Sequence, residues 1–117
     1  MANEMPEKRK HPRISGRFVV SYRIQEEVDS VDISQTKNLS LGGMLLTTNK
    51  IFPPGTNLAI LIKLPFFPKG LNLVARVLES KVVVKDLIYD TRLEFLGIDE
   101  ESQTALTKTV EQYLRRS

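Results

Sequence analysis

The chain has 117 residues, 41% of them hydrophobic and 26% charged, which suits one soluble domain with a single core. Cysteine is absent, which excludes disulfides, thiolate nucleophiles and cysteine-held zinc or iron. Residues 58–67, the longest apolar stretch, are far short of the roughly 20 needed to cross a membrane as a helix.

The net charge of +3 is unevenly placed. Residues 1–17 carry Lys8, Arg9, Lys10, Arg13 and Arg17 against Glu4 and Glu7, and the remainder holds 12 basic and 12 acidic groups. A basic arm on a neutral body points to a local anion site rather than a long nucleic-acid track. Residues 1–16 show no apolar period, contain Pro6, Pro12 and Gly16, and are expected to form a flexible arm preceding a domain at 17–117. The charged start has no apolar segment of the secretory kind, so the expected location is cytoplasmic.

From Arg17 the pattern changes. Phe18, Val20, Tyr22 and Ile24 alternate with polar or exposed-type residues, the period of a half-buried strand. Residues 28–38 read as a second, more polar strand broken by Gly42 and Gly43, and residues 44–48 as a third. Pro53, Pro54 and Gly55 form a strong turn signal. Leu58, Ile60, Ile62 and Leu64 then alternate, with Pro65 and the group Pro68, Lys69 and Gly70 expected to end that strand. A fifth strand begins at Leu71 and runs on through Val84 with a bend near Ser80; a sixth spans Tyr89 to Phe95. Strands this regularly spaced, with no helix between them, predict an all-β antiparallel barrel or sandwich. The end differs: Asp99 is an N-cap candidate, Glu100 and Glu101 suit the first turn, and Leu106, Val110, Tyr113 and Leu114 share one face of a terminal helix over 99–116.

Catalytic chemistry finds little support. The one histidine, His11, sits in the arm with no nucleophile fixed near it, and neither a phosphate-cradling glycine loop nor a metal-ligand spacing is visible. The expectation is a non-enzyme without metal or cofactor. Two polar clusters stand out instead. Arg9 and Arg13 lie four positions apart around Lys10, His11 and Pro12, and Pro12 disfavours helix there. Arginine pairs bidentately with phosphate or with the O6/N7 edge of guanine and stacks on bases, so two such forks suit a ligand carrying both phosphates and purines. The second cluster is Asn38, Leu39, Ser40, Leu41, Gly42 and Gly43. On an extended segment Asn38 and Ser40 would project to one side, presenting an amide and a hydroxyl together, while the glycines permit a sharp turn and close ligand approach.

In this order and spacing the clusters resemble the PilZ domain family, whose hallmark is RxxxR followed by [D/N]xSxxG. The strand at 18–22, the Pro-Gly turn at 54–55, the apolar segment 58–65 and Arg92, Leu93, Glu94 and Phe95 before a final helix follow the family layout, so the likeness covers 8–115. It implies a six-stranded antiparallel barrel with a C-terminal helix that binds cyclic di-GMP, a bacterial second messenger, as a receptor acting in motility, pilus or exopolysaccharide control. Arg9 and Arg13 would grip guanine edges and phosphates, Asn38 and Ser40 would contact a guanine, and Gly43 would keep the floor open. Lys8, Lys10, Leu39, Gly42 and Arg76 are further candidate contacts. Lys8, in place of the arginine that favours an intercalated ligand pair in relatives, points to one ligand per chain. Where many relatives carry GxVxW, this chain has Ala75, Val77 and Glu79, with no tryptophan to stack on the ligand.

Two other functions fit the same fold. A ligand-independent interaction scaffold would use the barrel alone, with an unidentified protein partner in either case. A single-stranded nucleic-acid binder would need aromatics interleaved with basic residues, whereas the chain has five Phe and three Tyr, most at apolar alternates; DNA, RNA and membrane insertion are not expected.

Overall fold

The computed structural model describes residues 12–116. The first strand forms where alternation places it: in β1 (Val19–Ile24), Val20 and Tyr22 are buried and Val19 faces solvent. There follow β2 (Asp32–Leu39), β3 (Gly43–Thr48), β4 (Asn57–Leu64), β5 (Phe67–Val84), β6 (Ile88–Leu96) and α1 (Glu100–Arg116). The strands close into a barrel in the order β1-β2-β3-β6-β5-β4, and every pairing is antiparallel. Closure removes the open edges that a flat sheet of these apolar strands would expose.

Three boundaries differ from the sequence expectation. The second strand begins at Asp32 rather than Val28, and Val31 and Ile33, read as its apolar members, face outward. β5 begins at Phe67, so the turn out of β4 is made by Pro65 and Phe66. Pro68 and Gly70 lie inside β5 within a shift of register, and residues 68–70 have no β4 partner there, so the missing proline N–H costs no ladder bond. The expected bend at Ser80 is instead a pair of bulges, one on each side, where register shifts between Val77 and Glu79 and between Val82 and Val84.

Antiparallel pairing sorts the connections to two ends of the barrel. Residues 12–18, the β2–β3 turn, the β4–β5 turn and the entry to α1 share one end. Ala105, Leu106 and Val110 of α1 join the core there, and Tyr113 meets the Phe18 ring edge-on at 5.3 Å. The β1–β2, β3–β4 and β5–β6 connections share the other end. Phe52 plugs it, its ring 6.3 Å from that of Tyr22, beside a hydroxyl chain in which Thr91 Oγ1 lies 2.9 Å from Thr48 Oγ1 and 2.6 Å from Ser80 Oγ.

Asp99 caps α1 as its position predicted. Its Oδ1 accepts the Ser102 N–H at 2.8 Å and its carbonyl accepts the Gln103 N–H at 3.0 Å. The bonds from Ser102 hold the Asp99 carboxyl below its ordinary range. A folded pKa lower than the unfolded one stabilises fully above the unfolded value, about 3.9, and this contribution disappears as pH falls through the folded value. Asp99→Ala should therefore lower Tm at pH 7, with the deficit relative to wild type shrinking in melts taken below about pH 4; Asp99→Asn, which keeps an acceptor, should lose less.

Candidate functional site

The segment preceding β1 does not hang free of the barrel in residues 12–18. Ile14 is 5% exposed and exchanges both backbone hydrogen bonds with Leu39, each 2.9 Å. The expected arm boundary at residue 16 is thus too late, because Ile14 supplies the apolar anchor that residues 1–16 were read as lacking. Thr36, fully buried in β2, adds a second tie: its hydroxyl donates to the Gly16 carbonyl at 2.6 Å and accepts the Phe18 N–H at 3.0 Å. Thr36 N–H also donates to Phe18 O at 3.0 Å. Gly16 is required by packing, since a Cβ there would stand 2.4 Å from the Phe18 ring.

Extending the Ile14–Leu39 bridge by one residue sets Arg13 opposite Ser40 and Ser15 opposite Asn38. Arg13, the one basic residue of the first cluster that is described, therefore lies opposite Ser40 of the second. Lys8, Arg9 and Lys10 lie outside the described residues.

Within the second cluster the residues have separate duties. Register shifts between Thr36 and Asn38, so Thr36 and Leu39 both point inward while Asn38 stands half-buried beside Leu45 on the outer face. Among the described residues the Asn38 amide has no hydrogen-bond partner. Leu39 is 0% exposed and its side chain belongs to the core, so the structure removes it from the candidate contacts. Ser40 does not present its hydroxyl alongside the Asn38 amide as alternation suggested. Its Oγ turns back on its own loop, accepting the Gly42 and Gly43 N–H groups at 3.2 Å each and donating to Gly43 O at 3.3 Å. Gly43 is needed for strand approach rather than as an open floor: a Cβ there would lie 2.0 Å from the Leu93 carbonyl oxygen of β6. Gly42 is exposed at the turn, and its carbonyl accepts the Phe95 N–H at 2.9 Å.

Arg76 lies on the same outer face but farther off. Gly43 pairs with Glu94 and Glu94 with Arg76, two strand spacings or about 10 Å away. Arg76 Nε donates to Glu94 Oε2 at 2.8 Å, an exposed pair of small energetic weight that a stronger anion could displace. Sequence reading missed Arg92, which register brings into the row Asn38, Leu45, Arg92, Glu79. Its exposure between buried Thr91 and Leu93 was legible, but its neighbours across the sheet were not. Asn38, Arg92 and Arg76 thus share a polar outer face with Glu79 and Glu94, which pair with the two arginines, and Arg13 lies opposite Ser40 in the extended register.

Because Gly43 is held by backbone packing, Gly43→Ala should lower Tm through overpacking of about 1–3 kcal/mol, with or without any ligand, as read by thermal melts.

A sequence model of the PilZ domain matches residues 7–112. No curated protein sequence matches the chain. Among solved structures, the Bacillus subtilis inhibitor of motility MotI/DgrA is 20% identical with a TM-score of 0.74, over 94% of this chain and 53% of that one. The PilZ domain of YcgR from Escherichia coli, solved with c-di-GMP, is 17% identical with a TM-score of 0.71, over 94% of each chain. The K. pneumonia MrkH–c-di-GMP complex is 16% identical with a TM-score of 0.66, over 94% of this chain and 54% of that one. The chain thus spans about half the length of MotI/DgrA and MrkH. At these identities the likeness establishes the fold, a closed six-stranded antiparallel barrel with one C-terminal helix. With the family model spanning nearly all of its length, the chain belongs to the PilZ domain family.

Proposed function

We propose that this protein is a cyclic di-GMP receptor, in which Arg9 and Arg13 grip the ligand's phosphates and guanine edges against the outer face marked by Asn38. The observation supporting this reading is the Ile14–Leu39 bridge, whose extension by one residue sets Arg13 opposite Ser40. Solved relatives of the same fold, YcgR and MrkH, hold c-di-GMP. The ligand is a dianion with two guanines, and arginine forks answer both features. Ser40 acts here mainly through its turn: its hydroxyl fixes the Gly42 and Gly43 amides and so the shape of the surface beside Asn38.

Calorimetric titration should give a Kd in the micromolar range or tighter, about −8 kcal/mol or better. Arg9→Ala and Arg13→Ala should each weaken binding by roughly 1.5–3 kcal/mol, and Lys10→Ala by less, since an exposed lysine adds mostly screened attraction. Ser40→Ala should fall between. No heat and no Tm shift at millimolar ligand would leave the ligand-independent scaffold as the better reading. With Lys8 before Arg9, one ligand per chain is expected by native mass spectrometry.

The signal would pass through the basic segment. Ile14, Gly16 and Phe18 are tied to β2, so ligand-dependent change is assigned to residues 8–13, whose four cations the dianion would partly neutralise. Hydrogen exchange with and without cyclic di-GMP should show new protection at 8–13 and 38–43 and little in the remaining strands. A change spread evenly through the barrel would contradict closure of this segment as the output step.

A further inference from the structure

The end of the barrel opposite α1 carries an unusual surface. Val28 and Val31 in the β1–β2 connection, Ile51 in the β3–β4 connection, and Val83, Val84 and Leu87 in the β5–β6 hairpin are each 41–67% exposed. Exposed aliphatic residues scattered singly are ordinary, but such a concentration at one end marks an interaction surface. The strand order places the β1–β2 and β5–β6 connections on opposite sides of this end, since β3 separates them one way and β4 the other. The β3–β4 connection crosses between them and carries exposed Ile51 next to the Phe52 plug, over whose ring Lys50 Nζ lies 5.7 Å from the centroid. The end is therefore two lips with Ile51 and Lys50 on the floor between them.

The lips differ in charge. The first holds exposed Glu26, Glu27 and Asp29; the second holds exposed Lys81 and Lys85, opposed by Asp86 at its tip and by Glu79, whose Oε2 lies 3.7 Å from Lys81 Nζ. A two-fold axis lying across the open end, perpendicular to the line joining the lips, sets the acidic lip of one copy against the basic lip of the other, twice, with Ile51 meeting Ile51 of the second copy. Such an interface is isologous and closed. Strand addition is a poorer route, because β5 is bulged on both sides of Ser80 and carries exposed Lys81 there. We propose that two copies of this chain associate head to head through this end, leaving the face bearing Arg13 and Asn38 at the far end of each barrel.

The test is sedimentation velocity on the full chain over a wide concentration range, in low and in high salt. Wild type should dimerise, with the dissociation constant rising at least tenfold in 1 M NaCl. A triple reversal, Glu26→Lys, Glu27→Lys and Asp29→Lys, makes both lips basic; a double reversal, Lys81→Glu and Lys85→Glu, makes both acidic. Each variant alone should be monomeric with a native circular dichroism spectrum, and an equimolar mixture should form a heterodimer. Leu87→Asp, at an exposed site that folding does not use, should also dissociate the dimer. A wild type that stays monomeric at every concentration, or a mixture that does not associate, overturns the proposal, including the case in which this end serves a different protein.

Discussion

Thr36 and Ile14 tie the chain entering the barrel to β2, and the candidate site depends on that tie. A buried hydroxyl with one donor and one acceptor bond, both to the incoming backbone, is costly to leave unpaired and so holds one geometry. The bridge at Leu39 extends that geometry to Arg13. Asn38 lies on the same strand, two residues beyond Thr36, so one element registers both halves of the site. Much of the entropy of ordering residues 12–18 is thereby met by folding itself rather than charged against ligand affinity.

The barrel was largely legible because its strands alternate and their ends carry Pro, Gly or Asx signals. The Pro53, Pro54 and Gly55 turn forms with Gly55 at φ 93°, a conformation that favours glycine, and the Asp99 cap forms where its sequence placed it. Inside the site, less could be read. Alternation predicted that Asn38 and Ser40 would present their polar groups together, but Ser40 lies in the turn after β2 and its Oγ bonds back to the Gly42 and Gly43 amides. Leu39 looked like part of a binding motif and is core. Gly43 looked like room for a ligand and is room for Leu93. In each case the deciding contact comes from a strand distant in sequence, which local periodicity does not report. Arg92 was read only as part of the layout, and its place on this face went unseen for the same reason. Ile14 was missed because one apolar residue in a polar stretch leaves no period to detect.

The two ends of the barrel have different chemistry. One is capped by α1 and edged with cationic and amide groups; the other is ringed with aliphatic residues between lips of opposite charge. Under the proposed function and the proposed association, ligand recognition and self-assembly occupy separate ends of one rigid sheet. A closed barrel with a filled core resists deformation, so under the proposed function the strands are the fixed part.

Thr36 ties the segment that leads to Arg13 onto β2, and one affinity comparison tests whether that tie serves binding. Thr36→Val keeps the shape and removes the two hydroxyl hydrogen bonds to residues 16 and 18, leaving the backbone bond to Phe18, while Thr36→Ser keeps the hydroxyl. Calorimetry on folded variants should find cyclic di-GMP bound roughly tenfold more weakly by the valine variant, about 1.4 kcal/mol, and near wild-type affinity for the serine variant. A folded valine variant that binds as tightly as wild type would contradict the account.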